Sequence, residues 1–180
     1  SNVKPKGRVI PNILSFVLGV FVTATFLYFN SDPVSYDRNF DGKIDEEWFY
    51  IGEKNDELHL DRNFDGKVDY KAIYNLAALP KRAILDNDFD GHFETHQKLK
   101  YGDVIFEKTD LDLDGFYEYR SYFVAGLLEY YEFLNPETKL VVKRVVMNGH
   151  LISESRQDSN SDGRLDHLVK YDELENSITE

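Results

Sequence analysis

Five times the chain repeats a nine-residue unit, Asp-x-Asn/Asp-x-Asp-Gly-x-x-Asp/Glu. Oxygen-bearing side chains fall at positions 1, 3, 5 and 9. Loop 1 (37–45) places Asp37, Asn39, Asp41 and Asp45 there, and loop 2 (61–69) places Asp61, Asn63, Asp65 and Asp69. Loop 3 (86–94) supplies Asp86, Asp88, Asp90 and Glu94; loop 4 (110–118) supplies Asp110, Asp112, Asp114 and Glu118; loop 5 (158–166) supplies Asp158, Asn160, Asp162 and Asp166. Calcium takes six to eight hard oxygens at about 2.3–2.6 Å, and four such side chains with a backbone carbonyl at position 7 can supply them around a sharp glycine turn. None of the side-chain ligand positions 1, 3, 5 and 9 offers a thiolate or imidazole, which disfavours zinc, and magnesium demands a tighter octahedral cage. The expectation is up to five Ca2+, bound most tightly by loops 3 and 4, which carry four carboxylates where the others carry three and an Asn. All 33 acidic residues and 18 of the 21 basic ones follow Asn30, a charge of −15 that five Ca2+ would bring to −5.

An EF-hand shares the first six positions but needs an acidic side chain at position 12. Here that position is Trp48, Ala72, Gln97, Ser121 and Val169, none of which is a carboxylate. The unit instead resembles the DxDxDGxxD calcium loops set between strands in integrin-type and FG-GAP β-propellers. The resemblance covers five loops, 45 of 180 residues, and stops at the loop: those propellers have longer repeats and flanking motifs this chain lacks. It implies side-chain ligation from positions 1, 3, 5 and 9 and carbonyl ligation from position 7, that is from Lys43, Lys67, His92, Phe116 and Arg164.

The elements that must carry these loops follow from spacing. The loops begin 24, 25, 24 and 48 residues apart; the long interval holds the turn "LNPETK" (134–139) where a sixth loop would fall. Midway between loops come plain turns: "GEKND" (52–56), "LAALP" (76–80), "YGD" (101–103), "AG" (125–126) and "NG" (148–149). Segments of five to nine residues rich in Tyr, Phe, Val, Ile and Leu separate them, in a chain with 12 Tyr and 13 Phe. Each period of about 24 residues is then a hairpin, with every acidic loop on one sheet edge. Steps of two give Ile44, Glu46, Trp48, Tyr50; Val68, Tyr70, Ala72, Tyr74; Tyr117, Tyr119, Ser121, Phe123; and Leu165, His167, Val169, Tyr171 on a buried face, with Lys71, Ile73, His96 and Lys98 on a wetter one. The spacing predicts an all-β antiparallel meander of about eleven strands over 36–171, followed by an acidic tail, 172–180.

Residues 9–29, "VIPNILSFVLGVFVTATFLYF", carry no charge and are long enough to cross a bilayer as a transmembrane helix. Lys4, Lys6 and Arg8 in the basic segment 1–8 place the N-terminus in the cytoplasm, so that after a linker (30–35) the repeat domain is periplasmic or extracellular, anchored in the cytoplasmic membrane by a single pass. A cleavable signal peptide with a weak small-x-small site at Val22-Thr23-Ala24 is the competing reading. Ser15, Gly19 and Thr23 lie four apart on one face of the span, a surface a second helix can approach closely.

Absence of cysteine removes disulfides and thiolate chemistry, and a net charge of −12 disfavours nucleic acid as a partner. His59, His92, His96, His150 and His167 are scattered, and no nucleophile elbow, phosphate loop or zinc-protease motif appears. Tyr122 and Tyr131 stand out as candidates for a carbohydrate platform. The expectation is not an enzyme but a membrane-anchored, calcium-binding structural or interaction protein, an accessory subunit of a larger envelope assembly; a calcium-dependent glycan- or surface-binding module is the alternative.

Overall fold

Thirteen strands pair antiparallel in sequence order in the computed structural model, which describes residues 32–178. They are β1 (Val34–Tyr36), β2 (Glu46–Ile51), β3 (Lys54–Leu60), β4 (Tyr70–Tyr74), β5 (Pro80–Leu85), β6 (Thr95–Lys100), β7 (Asp103–Thr109), β8 (Tyr119–Val124), β9 (Leu127–Leu134), β10 (Val141–Asn148), β11 (Leu151–Gln157), β12 (His167–Tyr171) and β13 (Ser177–Ile178). The meander is as expected, with two strands more than the periodicity predicts. β1 pairs Val34 with Trp48 and β13 pairs Ile178 with Lys170; at three and two residues they are too short for alternation to show. Short end strands also leave little free ladder for another chain to join. The predicted span 9–29 and its Ser15/Gly19/Thr23 face lie outside the described residues, among which no helix is long and apolar enough to cross a membrane.

Contacts between elements run only between consecutive strands, and β1 does not meet β13, so among the described residues the sheet is one open layer. A single layer has no second sheet against which to bury apolar side chains, and its core is accordingly thin. Register aligns Trp48, Leu58, Ala72 and Ala83 in one row, continuing through Ser121, Tyr131 and Val145 to Val169. Leu58, Ala72, Ala83 and Leu85 are buried there, with Trp48, Tyr70, Tyr74 and Leu99 packed against them. The small alanines allow rings from alternate strands to meet: Trp48 and Tyr74 lie 5.6 Å apart. Further along the same face Tyr119, Tyr131 and Phe133 form a second aromatic cluster with centroids 5.2–5.9 Å apart.

Five hairpins at the plain-turn edge carry a register shift one step before the turn, at Phe49/Tyr50, Ile73/Tyr74, Lys98/Leu99, Tyr122/Phe123 and Val146/Met147. Bulges increase local twist, so this device, repeated once per period, coils the layer. The predicted buried face fails at Ile44, which is 50% exposed, at His167, also exposed, and at Tyr117. Tyr117 does not join Tyr119 and Ser121 on the buried face; its ring lies 5.2 Å from His96 and under Lys108, on the wetter face. Position 8 belongs to the loop, since β8 begins only at Tyr119, and the strand period does not reach back to it.

Candidate metal centres

Each acidic loop is wound around its first aspartate. Asp37, Asp61, Asp86, Asp110 and Asp158 accept the position-5 N–H at 3.2 Å and the glycine N–H at 2.6–2.9 Å. The position-5 aspartate then accepts the position-7 N–H at 2.7–2.9 Å. The ninth residue closes the base by accepting the position-2 N–H at 2.6–3.0 Å. Winding so tight a turn requires left-handed backbone twice. The glycines take φ of 86–100°, and so, at 62–63°, do the non-glycine residues Phe40, Phe64, Phe89, Leu113 and Ser161 at position 4. A bulky residue in that region is strained, typically by about 1 kcal/mol or more. The sequence reading missed this position, although its occupancy by Phe, Phe, Phe and Leu in four loops was visible.

The carboxylates the sequence singles out are brought together at two loops. Asp110, Asp112, Asp114 and Glu118 place one oxygen each within 4.8 Å of one another, and so do Asp86, Asp88 and Glu94. Acidic groups here can therefore hold a metal ion. The ninth-position carboxylate supplies an independent mark. In loop 4 Glu118 is 8% exposed; Oε2 takes the Leu111 N–H at 2.8 Å, and Oε1 is buried with no partner. In loop 3 Glu94 Oε1 takes the Asn87 N–H and Oε2 is unpartnered; in loop 1 Asp45, 3% exposed, repeats the arrangement with Oδ1. A buried, unpaired anionic oxygen is costly unless a cation or donor meets it. The all-oxygen set fits a hard divalent cation.

Loop 2 differs. Arg62 binds both oxygens of buried Asp69, through its backbone N–H at 2.7 Å and through Nε, and extends to the Asp86 carbonyl at 2.6 Å. Lys43 of loop 1 donates to the Asp65 carbonyl at 2.8 Å. Two cations thus already serve this loop. In loop 5 the Ser159 N–H and hydroxyl both bind Asp166 Oδ1, and the predicted carbonyl donor Arg164 accepts the Asp166 N–H at 3.0 Å. Where the sixth loop would fall, the Asn135 side chain caps the turn by accepting from Glu137 and Thr138 at 2.9 Å, with no carboxylate cluster.

Neighbouring loops are joined through backbone. The position-9 carbonyl of one accepts the first N–H of the next: Asp45 from Asp61 at 2.8 Å, Asp69 from Asp86 at 2.9 Å, Glu94 from Asp110 at 3.0 Å. Between loops 3 and 4 opens a cleft of about 410 Å³, lined by Asp88, Asp90, Glu94, Asp110 and Asp112. The histidines do not converge: His92 sits exposed in loop 3, while His96 meets Tyr117, and burial with nearby Lys108 holds its pKa below the ordinary value. Tyr122 and Tyr131 are on opposite faces, so they cannot form one carbohydrate platform.

No family model matches this chain, and no curated protein is significantly similar. Among solved structures, a mutant of S. aureus TarM in complex with fondaparinux, α-GlcNAc-glycerol and UDP aligns at TM-score 0.34 and 10% identity, over 73% of this chain and 22% of that one. Accessory secretory proteins 1, 2 and 3 of Streptococcus pneumoniae align at TM-score 0.31 and 16% identity, over 77% and 24%. The chain thus spans about a quarter or less of the structures it aligns with, and neither likeness identifies its fold or activity.

Proposed function

We propose that this chain is a calcium-binding β-repeat protein with a structural or interaction role, its acidic loop edge neutralised and stiffened by bound ions. The observation that carries this reading is the set of buried, unpartnered oxygens at position 9, Asp45 Oδ1, Glu94 Oε2 and Glu118 Oε1, each at the base of a loop of oxygen donors. Calcium suits the donor set because it accepts many hard oxygens in flexible geometry. Loops 3 and 4 are assigned the tightest sites, since four carboxylates converge in loop 4 and three in loop 3, where Asp90 stands outside the group, each set with an unpartnered oxygen. Loop 2 is the weakest, because Arg62 already meets both oxygens of Asp69, and loop 5 ranks below loops 3 and 4 because it carries three carboxylates and its ninth, exposed Asp166, takes both Ser159 donors on Oδ1. Anchorage by residues 9–29, with the sheet outside the cytoplasmic membrane as an accessory part of an envelope assembly, rests on the uncharged span and the basic residues before it.

Thermal unfolding of the full chain with calcium, with magnesium and with chelator tests the reading. Ligands that bind only the folded state stabilise it by mass action, by about 2.7 kcal/mol per site at a hundredfold excess over Kd. The midpoint is expected to rise with calcium well beyond the rise with magnesium. Equal midpoints in calcium and chelator would overturn the assignment.

A further inference from the structure

The net acidity of the chain conceals a basic face. Register places His96, Lys108, Arg120, Glu132, Arg144 and Arg156 side by side across β6–β11, on the face opposite the aromatic core. The adjoining row, one step toward the plain turns, holds Lys98, Phe106, Tyr122, Tyr130, Val146 and Glu154. Five cations therefore face two carboxylates, and both carboxylates are committed: Glu132 to Arg144 at 2.5 Å and Glu154 to Arg156 at 3.0 Å. Among the described residues Lys98, Lys108 and Arg120 have no ion-pair partner, although Glu132 lies across from Arg120. Lys108 and Arg120 stand directly opposite each other, an arrangement of like charges that costs stability in a sheet. Burial and the charge of Arg120 hold the Lys108 pKa below its ordinary value.

The aromatic rings of this face restrict what can bind. Tyr122 stacks on Tyr130 at 4.4 Å and meets Phe106 at 5.1 Å, while Arg144 lies over Tyr130 at 5.3 Å and Lys108 over Tyr117 at 3.3 Å. Ring faces are thus occupied by neighbouring side chains, leaving little platform for the base stacking on which single-stranded nucleic acid binding relies. Adjacent strands turn by about 20–25°, so the rows rotate by roughly 100° between β6 and β11, which a planar bilayer cannot follow and a flexible linear chain can.

We propose that the His96–Lys108–Arg120–Arg144–Arg156 stripe is a docking surface for a linear anionic glycan, a polymer presenting repeated carboxylate, sulfate or phosphate groups on a sugar or polyol backbone. Two pairs of cations on adjacent strands, Lys108 with Arg120 and, beyond Glu132, Arg144 with Arg156, meet successive anions, and the ring edges and tyrosine hydroxyls meet the hydroxyls between them. The row nearest the loops holds Glu94, Asp110, Glu118 and Asp158, a negative rim that repels such a polymer until metal neutralises it. Calcium therefore strengthens docking without ligating the glycan; this dependence alone rests on the calcium reading above.

The test uses the full chain with dextran sulfate as probe and uncharged dextran as control, with and without calcium. The parent is expected to bind dextran sulfate and not dextran, more tightly in calcium, with affinity falling as salt rises. Replacing Lys108→Gln and Arg120→Gln together is expected to weaken binding about tenfold or more, each lost cation contributing on the order of 1 kcal/mol near a polyanion, while Lys143→Gln on the opposite face changes little. Should the double variant lose its β-sheet circular dichroism, Lys98→Gln with Arg156→Gln serves in its place. Failure to bind dextran sulfate in calcium, equal binding by the stripe variants, or preferential binding of oligothymidylate or phosphatidylglycerol vesicles overturns the proposal. Undiminished binding in chelator instead sinks only the calcium dependence.

Discussion

Glu118 separates the metal reading from a merely hydrogen-bonded turn. Its Oε2 already fastens the base of loop 4 through the Leu111 N–H, so Oε1 is spare for the turn and costly to leave buried. Glu118→Gln keeps the shape and removes the charge. In chelator the variant is expected to unfold at the parent's temperature or above, because one of four crowded carboxylates has been neutralised; in calcium it is expected to gain less, its tightest site weakened by about tenfold to a hundredfold, or 1.4–2.8 kcal/mol. Calorimetry against Asp162→Asn in loop 5 gives the comparison, and equal losses in both variants would remove the distinction between the loops. Titration supplies a second residue-scale prediction. Asp41 is held below its ordinary 3.8 first by the Lys43 N–H and then by Asn39, and Asp166 first by the Ser159 N–H and then by its hydroxyl. Depressed folded pKa values contribute stability above pH 3.8 that is lost as pH falls through the folded values. Burial raises Tyr70, Tyr74 and Tyr131 above 10.0, so their contribution is present below pH 10 and lost as pH rises through the folded values. Carboxyl NMR and tyrosinate absorbance of the metal-free chain are expected to show both displacements, and ordinary values at Asp41 or Tyr70 would contradict them.

At the scale of elements, the thin core sets the size of mutational effects. Leu58 is buried between Trp48 and Ala72 on adjacent strands, and Leu58→Ala removes one of few large aliphatic groups from that row. The expected cost is about 2–3 kcal/mol by urea unfolding, the low end of core truncations, because one layer can relax around the gap more readily than two. A cost below 0.5 kcal/mol would mean that the row is not a core. Which elements were legible follows the same physics. Turn spacing and two-residue alternation exposed the meander, the loop edge and the buried row, since these depend on local chemistry repeated five times. Hidden from it were β1 and β13, which exist only because an edge offers them a partner, and the bulges before the plain turns, which leave no single residue signature. The loop ligand positions were legible as residue types. That Arg62 turns onto Asp69 of its own loop while the equivalent Arg38 pairs with Glu46, and that Glu118 keeps a free oxygen, depends on where side chains are directed, and spacing alone does not contain it. The basic face was hidden by summation: a strongly acidic total says nothing of how register sorts the cations.

At the scale of the whole molecule, contacts that among the described residues run only between consecutive strands make the sheet a one-dimensional array, in which each hairpin is stabilised by its own pairing and its two neighbours. Disturbance should then travel a short distance and fade. Loop 4 joins β7 to β8, and its coupling to loop 3 is a single backbone bond, Glu94 carbonyl to Asp110 N–H. Weakening the loop 4 site with Glu118→Gln, in calcium, is therefore expected to speed amide hydrogen exchange in β5–β8 severalfold while leaving β11–β13 unchanged. A compact two-layer domain would answer differently, since loss of one site would lower the global stability and accelerate every core amide together. Uniform acceleration from β2 to β12 would thus reveal packing between distant strands. A graded effect centred on loop 4 would show that this molecule is stabilised loop by loop, so that calcium level sets how much of its length is rigid at once.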